Sequence, residues 1–179
     1  MRFNKWLGRK FTPHFMRGFL LVGGEMVEAG FYIIDDSFFT LVNDPYLKGN
    51  DTENRPHCYC IEKDDFLWMI PMSSRVSKYS AIMTKRIQEK RPNDILHIAK
   101  LDDGKESVFL IGDIFPIKKE FIKREYTIGT NHFRITSEAL KNEILTKANK
   151  VIKLLEQGVK FTPTQPDISA IKGKLTTLK

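Results

Sequence analysis

From Pro71 to Tyr79 the chain reads Pro-Met-Ser-Ser-Arg-Val-Ser-Lys-Tyr, crowding the hydroxyls of Ser73, Ser74 and Ser77 against the cations Arg75 and Lys78. An apolar strand, Phe66-Leu-Trp-Met-Ile70, leads into this run, and Pro71 is expected to stop it. Beyond it, Ser77 to about Lys90 carries Tyr79, Ile82, Met83 and Ile87 at helical spacing, and Pro92 ends the pattern. A helix start offers free backbone N–H groups to an anion. Hydroxyls and cations at the same point are what a phosphate pocket needs. The competing account is structural: Ser74 or Ser77 caps the helix, and the basic residues are solvated beside it. Spacing alone leaves both open.

Other residues could serve the same pocket. Lys85, Arg86, Lys90 and Arg91 occupy the flank of that helix and would grip phosphates, or else form a solvated face. Tyr79 and Phe38 are available for stacking on a base. His57 is the natural proton carrier near neutral pH, or simply a polar residue opening a strand. His14, His97 and His132 read as structural. Asp113, ahead of Ile-Phe-Pro, has no partner acid and reads as a turn former. No cluster of Asp, Glu or His has metal-ligand spacing, so neither metal nor cofactor is expected.

These residues need a scaffold, and 179 residues at 41% hydrophobic suffice for one domain with appendages. The formal charge of +7 favours a polyanionic partner. Much of that excess sits in the first 25 residues, where Arg2, Lys5, Arg9, Lys10 and Arg17 face only Glu25. Residues 1–29 show no period. They read as a non-native extension, with translation starting at Met26, or as a basic arm on RNA. Cys58 and Cys60 lie two apart on a strand, too poorly aligned to bond to each other, and suit a reducing cytoplasm. No apolar run reaches the roughly 20 residues that span a membrane.

Gly30–Ile34 reads as a strand, followed by a short helix near residues 36–43 that Asp35 or Asp36 caps. A polar loop runs to Pro56. The strands His57–Glu62 and Phe66–Met72 follow, joined at Lys63-Asp64-Asp65, with apolar residues on both faces as in central strands. Ile95–Leu101 and Ser107–Ile111 form a hairpin, and Glu120–Thr127 is a further strand. Ser137–Gln157 is a long helix with Leu140, Ile144, Ala148, Val151, Ile152 and Leu155 on one face and Gly158 as its stop. The tail, residues 161–179, contains Pro163 and Pro166 and is expected to be flexible. The sum is an α+β domain over residues 30–160, built on a small, strongly bent antiparallel sheet or barrel with added helices.

The order of these segments resembles the ToxN/AbiQ/CptN endoribonucleases of type III toxin–antitoxin systems. The resemblance runs from Phe31-Tyr32-Ile33-Ile34 through Arg55-Pro56-His57, Ile70-Pro71-Met72-Ser73-Ser74 and Gly112-Asp113-Ile114-Phe115-Pro116 to the long helix, and is nearest the CptN branch. It implies a barrel related to the MazF/PemK toxins and metal-independent RNA cleavage. It further implies an antitoxin RNA, processed into pseudoknot repeats, that inhibits the toxin and assembles with it. Ser73 and Ser74 match the family's hydroxyl pair, and His57 falls where other members place a Lys after a Pro. Where relatives carry a Lys two residues beyond the second hydroxyl, this chain has Val76; Lys78 takes the catalytic cation's role, with Arg75 as the alternative. The second aromatic of the first helix is Phe38, and Arg55 joins the RNA-binding set. A non-catalytic RNA-binding module is the competing function.

Overall fold

The computed structural model describes residues 25–50 and 55–178. The proposed arm therefore lies outside the described residues as far as residue 24. From Met26 onward the chain is already part of the fold. The Val27 amide donates to the Tyr32 hydroxyl at 2.8 Å, and the Ala29 amide donates to the Tyr59 carbonyl at 2.9 Å.

Strand β1 (Phe31–Ile34) is buried throughout and leads into helix α1 (Asp36–Val42), whose cap is Asp35: its carboxylate accepts from the Ser37 amide at 2.9 Å. Strands β2 (His57–Lys63) and β3 (Phe66–Ser73) form the central hairpin. Asp64 and Asp65 take φ of 53° and 62°, the left-handed pair that a tight two-residue turn requires. Asp tolerates that region because its short side chain costs little there. As the two-sided apolar pattern implied, both strands lie in the core, and Trp68 and Met69 are fully buried.

β3 does not stop at Pro71. It runs to Ser73, with Pro71 opposite His57 and the Pro71 carbonyl accepting from the Leu110 amide at 3.0 Å. Helix α2 (Val76–Gln88) follows, then β4 (His97–Lys100) and β5 (Glu106–Phe109) as the expected hairpin. A 3₁₀ turn over Ile111–Asp113 leads into β6 (Phe115–Ile117), which the sequence reading did not anticipate. The free edge of β3 is shared between these pieces: Leu67–Met69 pair with β6, and Met72–Ser73 pair with β5. A second 3₁₀ turn (Lys119–Phe121) precedes β7 (Ile122–Glu125), and β8 (Thr127–Ile128) with β9 (Asn131–His132) makes a small hairpin.

The main sheet runs β4-β5-β3-β2-β1-β7, with β6 alongside β3. The expectation of a closed barrel is corrected, because β4 and β7 remain at opposite ends. Both are only four residues long. Helix α3 (Glu138–Glu156) reaches β4 through side chains: His97 Nδ1 meets Lys147 Nζ at 2.9 Å and Glu143 Oε1 at 3.2 Å.

Helix α3 matches its expected bounds. The Ser137 hydroxyl accepts from the Leu140 amide at 3.3 Å, and Ile144, Ala148, Val151, Ile152 and Leu155 are buried. The flexible tail is the clearest correction. Residues Ile168–Thr176 form helix α4, capped by Asp167, which buries Ile168, Ile171 and Leu175. Those residues are three and four apart, a helical stripe too short to stand out beside two prolines. α4 lies on β6 and α1. Lys174 Nζ donates to the Val42 carbonyl, and Asp44 accepts from the Asp167 amide at 2.9 Å.

Candidate active site

The core hairpin delivers Ser73 at the open end of β3, and the chain turns there directly into α2. The Ser73 hydroxyl accepts from the Arg75 amide at 3.2 Å, and the Val76 amide donates to the Ser74 carbonyl at 2.9 Å. These bonds set the corner. Arg75 is the residue before the helix, and no side chain caps it. The expected capping of the helix by Ser74 or Ser77 is corrected: neither hydroxyl caps α2. The first N–H groups of α2 point out of the corner beside exposed Ser74, Arg75, Ser77 and Lys78.

One turn into the helix, Tyr79 folds back over the corner. Its amide donates to the Arg75 carbonyl at 3.3 Å, and the Ser73 side chain lies near enough to its phenol to favour the charged form slightly. Lys78 Nζ stands 5.4 Å from the centre of the Tyr79 ring. Burial pushes the Tyr79 phenol up from its usual value. The Asp113 charge pushes the same way, against Arg75 and Arg55. Tyr79 is therefore a neutral hydroxyl, a donor, at neutral pH. Arg55 is brought close from the loop before β2, where its Nη1 donates to the Gly49 carbonyl at 3.0 Å. The corner thus assembles Ser73, Ser74, Arg75, Lys78, Tyr79 and Arg55: hydroxyl donors flanked by three cations.

Three expected site residues are elsewhere. His57 is 1% exposed and lies between Phe39 and Phe115, with ring centroids 6.0 and 5.5 Å away. Burial, helped by the Arg55 charge, lowers its pKa to about 3, and its Nδ1 has no hydrogen-bond partner. A neutral imidazole sealed beneath the site does not shuttle protons to a substrate. Phe38 is fully buried and stacks on Phe115 at 5.5 Å, so no base can reach its face. Arg86 is 7% exposed and donates from Nε to the Pro92 carbonyl at 3.0 Å. Its guanidinium ties off the helix and does not face solvent phosphates. Lys85, near the end of α2, is exposed about 10 Å along the helix from Lys78 at 1.5 Å per residue, and Lys90 and Arg91 are exposed beyond its last residue. Lys85 and Arg91 share Glu89, at 3.8 and 3.3 Å.

The sequence reads Asp113 as a turn former, and it closes the 3₁₀ turn Ile111–Asp113. The turn that carries it is fixed to the site strand: Leu110 N reaches Pro71 O, and the Asp113 amide donates to the Leu110 carbonyl at 3.0 Å. Gly112 packs so tightly that a Cβ there would lie 3.0 Å from Ile95 Cβ. Loss of water raises the Asp113 carboxyl to about 6. A carboxylate flanked by Ile111, Ile114 and Phe115 was the available signal, since such a residue is dragged toward the core by its neighbours. Its position beside Tyr79 was not readable.

The buried thiols of Cys58 and Cys60 are unreactive, the latter pushed up to about 12 by burial. Among the described residues no group of His, Cys, Asp and Glu is placed to hold a metal ion, and no helix is long and apolar enough to cross a membrane.

No family model matches the chain, and no curated protein matches its sequence. Among solved structures it is similar to AbiQ, a lactococcal anti-phage endoribonuclease belonging to the type III toxin–antitoxin system. The TM-score is 0.65 at 14% identity, covering 84% of this chain and 97% of that one. At such low identity the likeness is one of fold. It lies with AbiQ and does not single out the CptN branch.

Proposed function

We propose that this chain is a metal-independent endoribonuclease, the toxin of a type III toxin–antitoxin system. The observation that carries the reading is the corner between β3 and α2. On a fold shared with an endoribonuclease, it gathers Ser73, Ser74, Arg75, Lys78 and Tyr79 around free helix N–H groups. RNA supplies its own nucleophile. Its 2′-hydroxyl attacks the adjacent phosphorus, leaving a 2′,3′-cyclic phosphate and a 5′-hydroxyl. The protein must align that attack and stabilise the negative charge that grows on the non-bridging oxygens. The hydroxyls of Ser73 and Ser74 and the first amides of α2 donate to those oxygens. Arg75 neutralises them as a fixed fork, and Lys78 stands by the leaving oxygen as a point charge and proton donor. Arg55 holds a neighbouring phosphate, and the exposed cations Lys85, Lys90 and Arg91 extend the grip along the strand.

The same reading makes the inhibitor a small structured RNA that the toxin processes into pseudoknot repeats and holds in a larger assembly. The setting is phage defence by abortive infection, in the cytoplasm. The test is cleavage of an unstructured RNA in excess EDTA, with the 3′ end of the product analysed. A 2′,3′-cyclic phosphate supports the reading. Activity that dies on chelation and returns with magnesium overturns the mechanism. An RNA that is bound and never cut makes the chain a binding module instead.

A further inference from the structure

We infer that the turn end of the β2–β3 hairpin carries a second binding site, for a linear alkyl polyamine, separate from the corner between β3 and α2. The site is a cavity of about 390 Å³ lined by Glu25, Met26, Tyr59, Glu62, Asp65 and Leu67, together with Lys119. Three carboxylates against one ammonium leave its lining with a charge of −2, on a chain whose formal charge is +7. Its volume falls within the roughly 300–1,000 Å³ of small-ligand sites. Leu67 and Ser73 are six positions apart on β3, about 20 Å at roughly 3.3 Å per residue, so the cavity does not belong to the cleavage corner.

A β-bulge builds the lining. Strict alternation would put Tyr59 and Glu62 on opposite faces of β2. The register with β3 shifts between Tyr59 and Ile61, which makes Cys60 the extra residue. Tyr59 therefore pairs with Met69 and Glu62 with Leu67, and all four share one face of the hairpin. The other face is already covered at this end. Lys63 reaches Glu156 of α3, and Lys172 of α4 lies 5.0 Å from the centre of the Trp68 ring. Glu25 and Met26 enter from the segment before β1, which is tied to the same strand: the Tyr59 amide donates to the Gly30 carbonyl at 2.8 Å.

The Tyr59 phenol points to a ligand independently of the acids. Tyr59 is 7% exposed and lines the cavity, and among the described residues its hydroxyl has no hydrogen-bond partner. Leaving such a group unpaired is costly, and a bound amine would pair it. Burial, with the Glu62 and Glu28 charges, pushes the phenol up to about 12, so it is neutral and accepts from an ammonium. Its ring offers a face to the same cation. Among the described residues no group of acids is placed to hold a metal ion, so the carboxylates suit a cation whose charges are spaced along a chain. The side chains of Met26 and Leu67 match the methylenes between those charges, and Glu25, Glu62 and Asp65 pair with the ammonium groups. A cleft of one sign of charge with apolar walls concentrates such a ligand.

The experiment is isothermal titration of spermidine into the full chain, freed of RNA, at two salt concentrations. Spermidine should fill a single site and bind more weakly as salt rises. It should bind about tenfold or more tighter than n-butylamine, which has the methylenes but a single charge. Glu62→Gln should weaken it by about tenfold or more, and Tyr59→Phe, which keeps the ring, by about 2–10-fold. Both variants should keep the wild-type melting temperature and RNA cleavage. Glu106→Gln removes an exposed carboxylate on β5, away from the cavity, and should bind as wild type does. Equal weakening in Glu106→Gln, or equal affinity for n-butylamine, overturns the site, since the cation then only samples surface charge. No binding of spermidine overturns it as well, and capture of a lysine tetrapeptide in its place makes the cavity a peptide site. None of these outcomes bears on the nuclease reading, which cleavage tests separately.

Discussion

The Arg86 guanidinium turns back on its own helix end and donates from Nε to the Pro92 carbonyl across 3.0 Å. This bond closes α2 where Pro92 prevents the helix from continuing. Removing it strands a carbonyl and empties a buried slot. Arg86→Ala should therefore cost about 1.5–3 kcal/mol, read from urea unfolding. It should leave the salt dependence of RNA binding unchanged. Lys90→Ala should do the opposite, lowering the salt slope by about 1 with no loss of stability. Titrations at two salt concentrations separate the two.

His57 links stability to acid. Its folded pKa of about 3 lies below the ordinary value of 6.5, so the unfolded chain binds the proton more readily. The stability it contributes is present above pH 6.5 and is lost as pH falls toward 3, to the extent of a few kcal/mol. His57→Phe should flatten that part of the stability profile in thermal melts taken across pH. Cleavage should persist, because His57 reaches no substrate. Cleavage abolished in a folded His57→Phe protein would show that it does.

Ser74 and Lys78 are exposed and tied to nothing that the fold requires. Their contribution falls on charge that appears in the transition state. Ser74→Ala and Lys78→Ala should each lower single-turnover cleavage by about 10²–10³ while leaving filter binding of RNA and the melting temperature unchanged. Wild-type rates in both would move the chemistry away from this corner.

α4 is a structural strap. Ile171 is 1% exposed against β6 and α1. Ile171→Ala should destabilise by about 2–4 kcal/mol, and a chain ending at Thr162 should melt several degrees lower. An unchanged melting temperature in the truncated chain would mean that the strap adds nothing.

Asp113 should link stability to pH in the opposite sense to His57. Its folded pKa of about 6 lies above the ordinary value of 3.8, so the folded chain favours the protonated form. That favourable term is fully present below pH 3.8 and lost as pH rises through 6. Asp113→Asn should then be more stable than wild type at pH 8, by roughly 1–3 kcal/mol, and close to it in mild acid. Thermal melts at the two pH values test the sign.

The sequence by itself determined the elements whose signals are local. Apolar residues on both faces marked β2 and β3 as central, because only a strand covered on both sides can bury Cys58 and Tyr59, or Trp68 and Leu67, together. Helix α3 was legible to its bounds because a stripe of this length leaves no competing period and Ser137 and Gly158 punctuate it. The corner Ser73-Ser74-Arg75-Lys78 was visible for the same reason, its groups being neighbours in the chain. What depended on distant partners was hidden. Burial of His57, Phe38 and Arg86 is set by Phe39, Phe115 and Pro92, which no local pattern connects to them. α4 is ordered only because β6 and α1 offer it a floor. Asp113 shows the difference most plainly. Its residue type and apolar neighbours were in the sequence, but its basicity needs the water that the fold removes, and its place beside Tyr79 needs the pairing of β5 with β3.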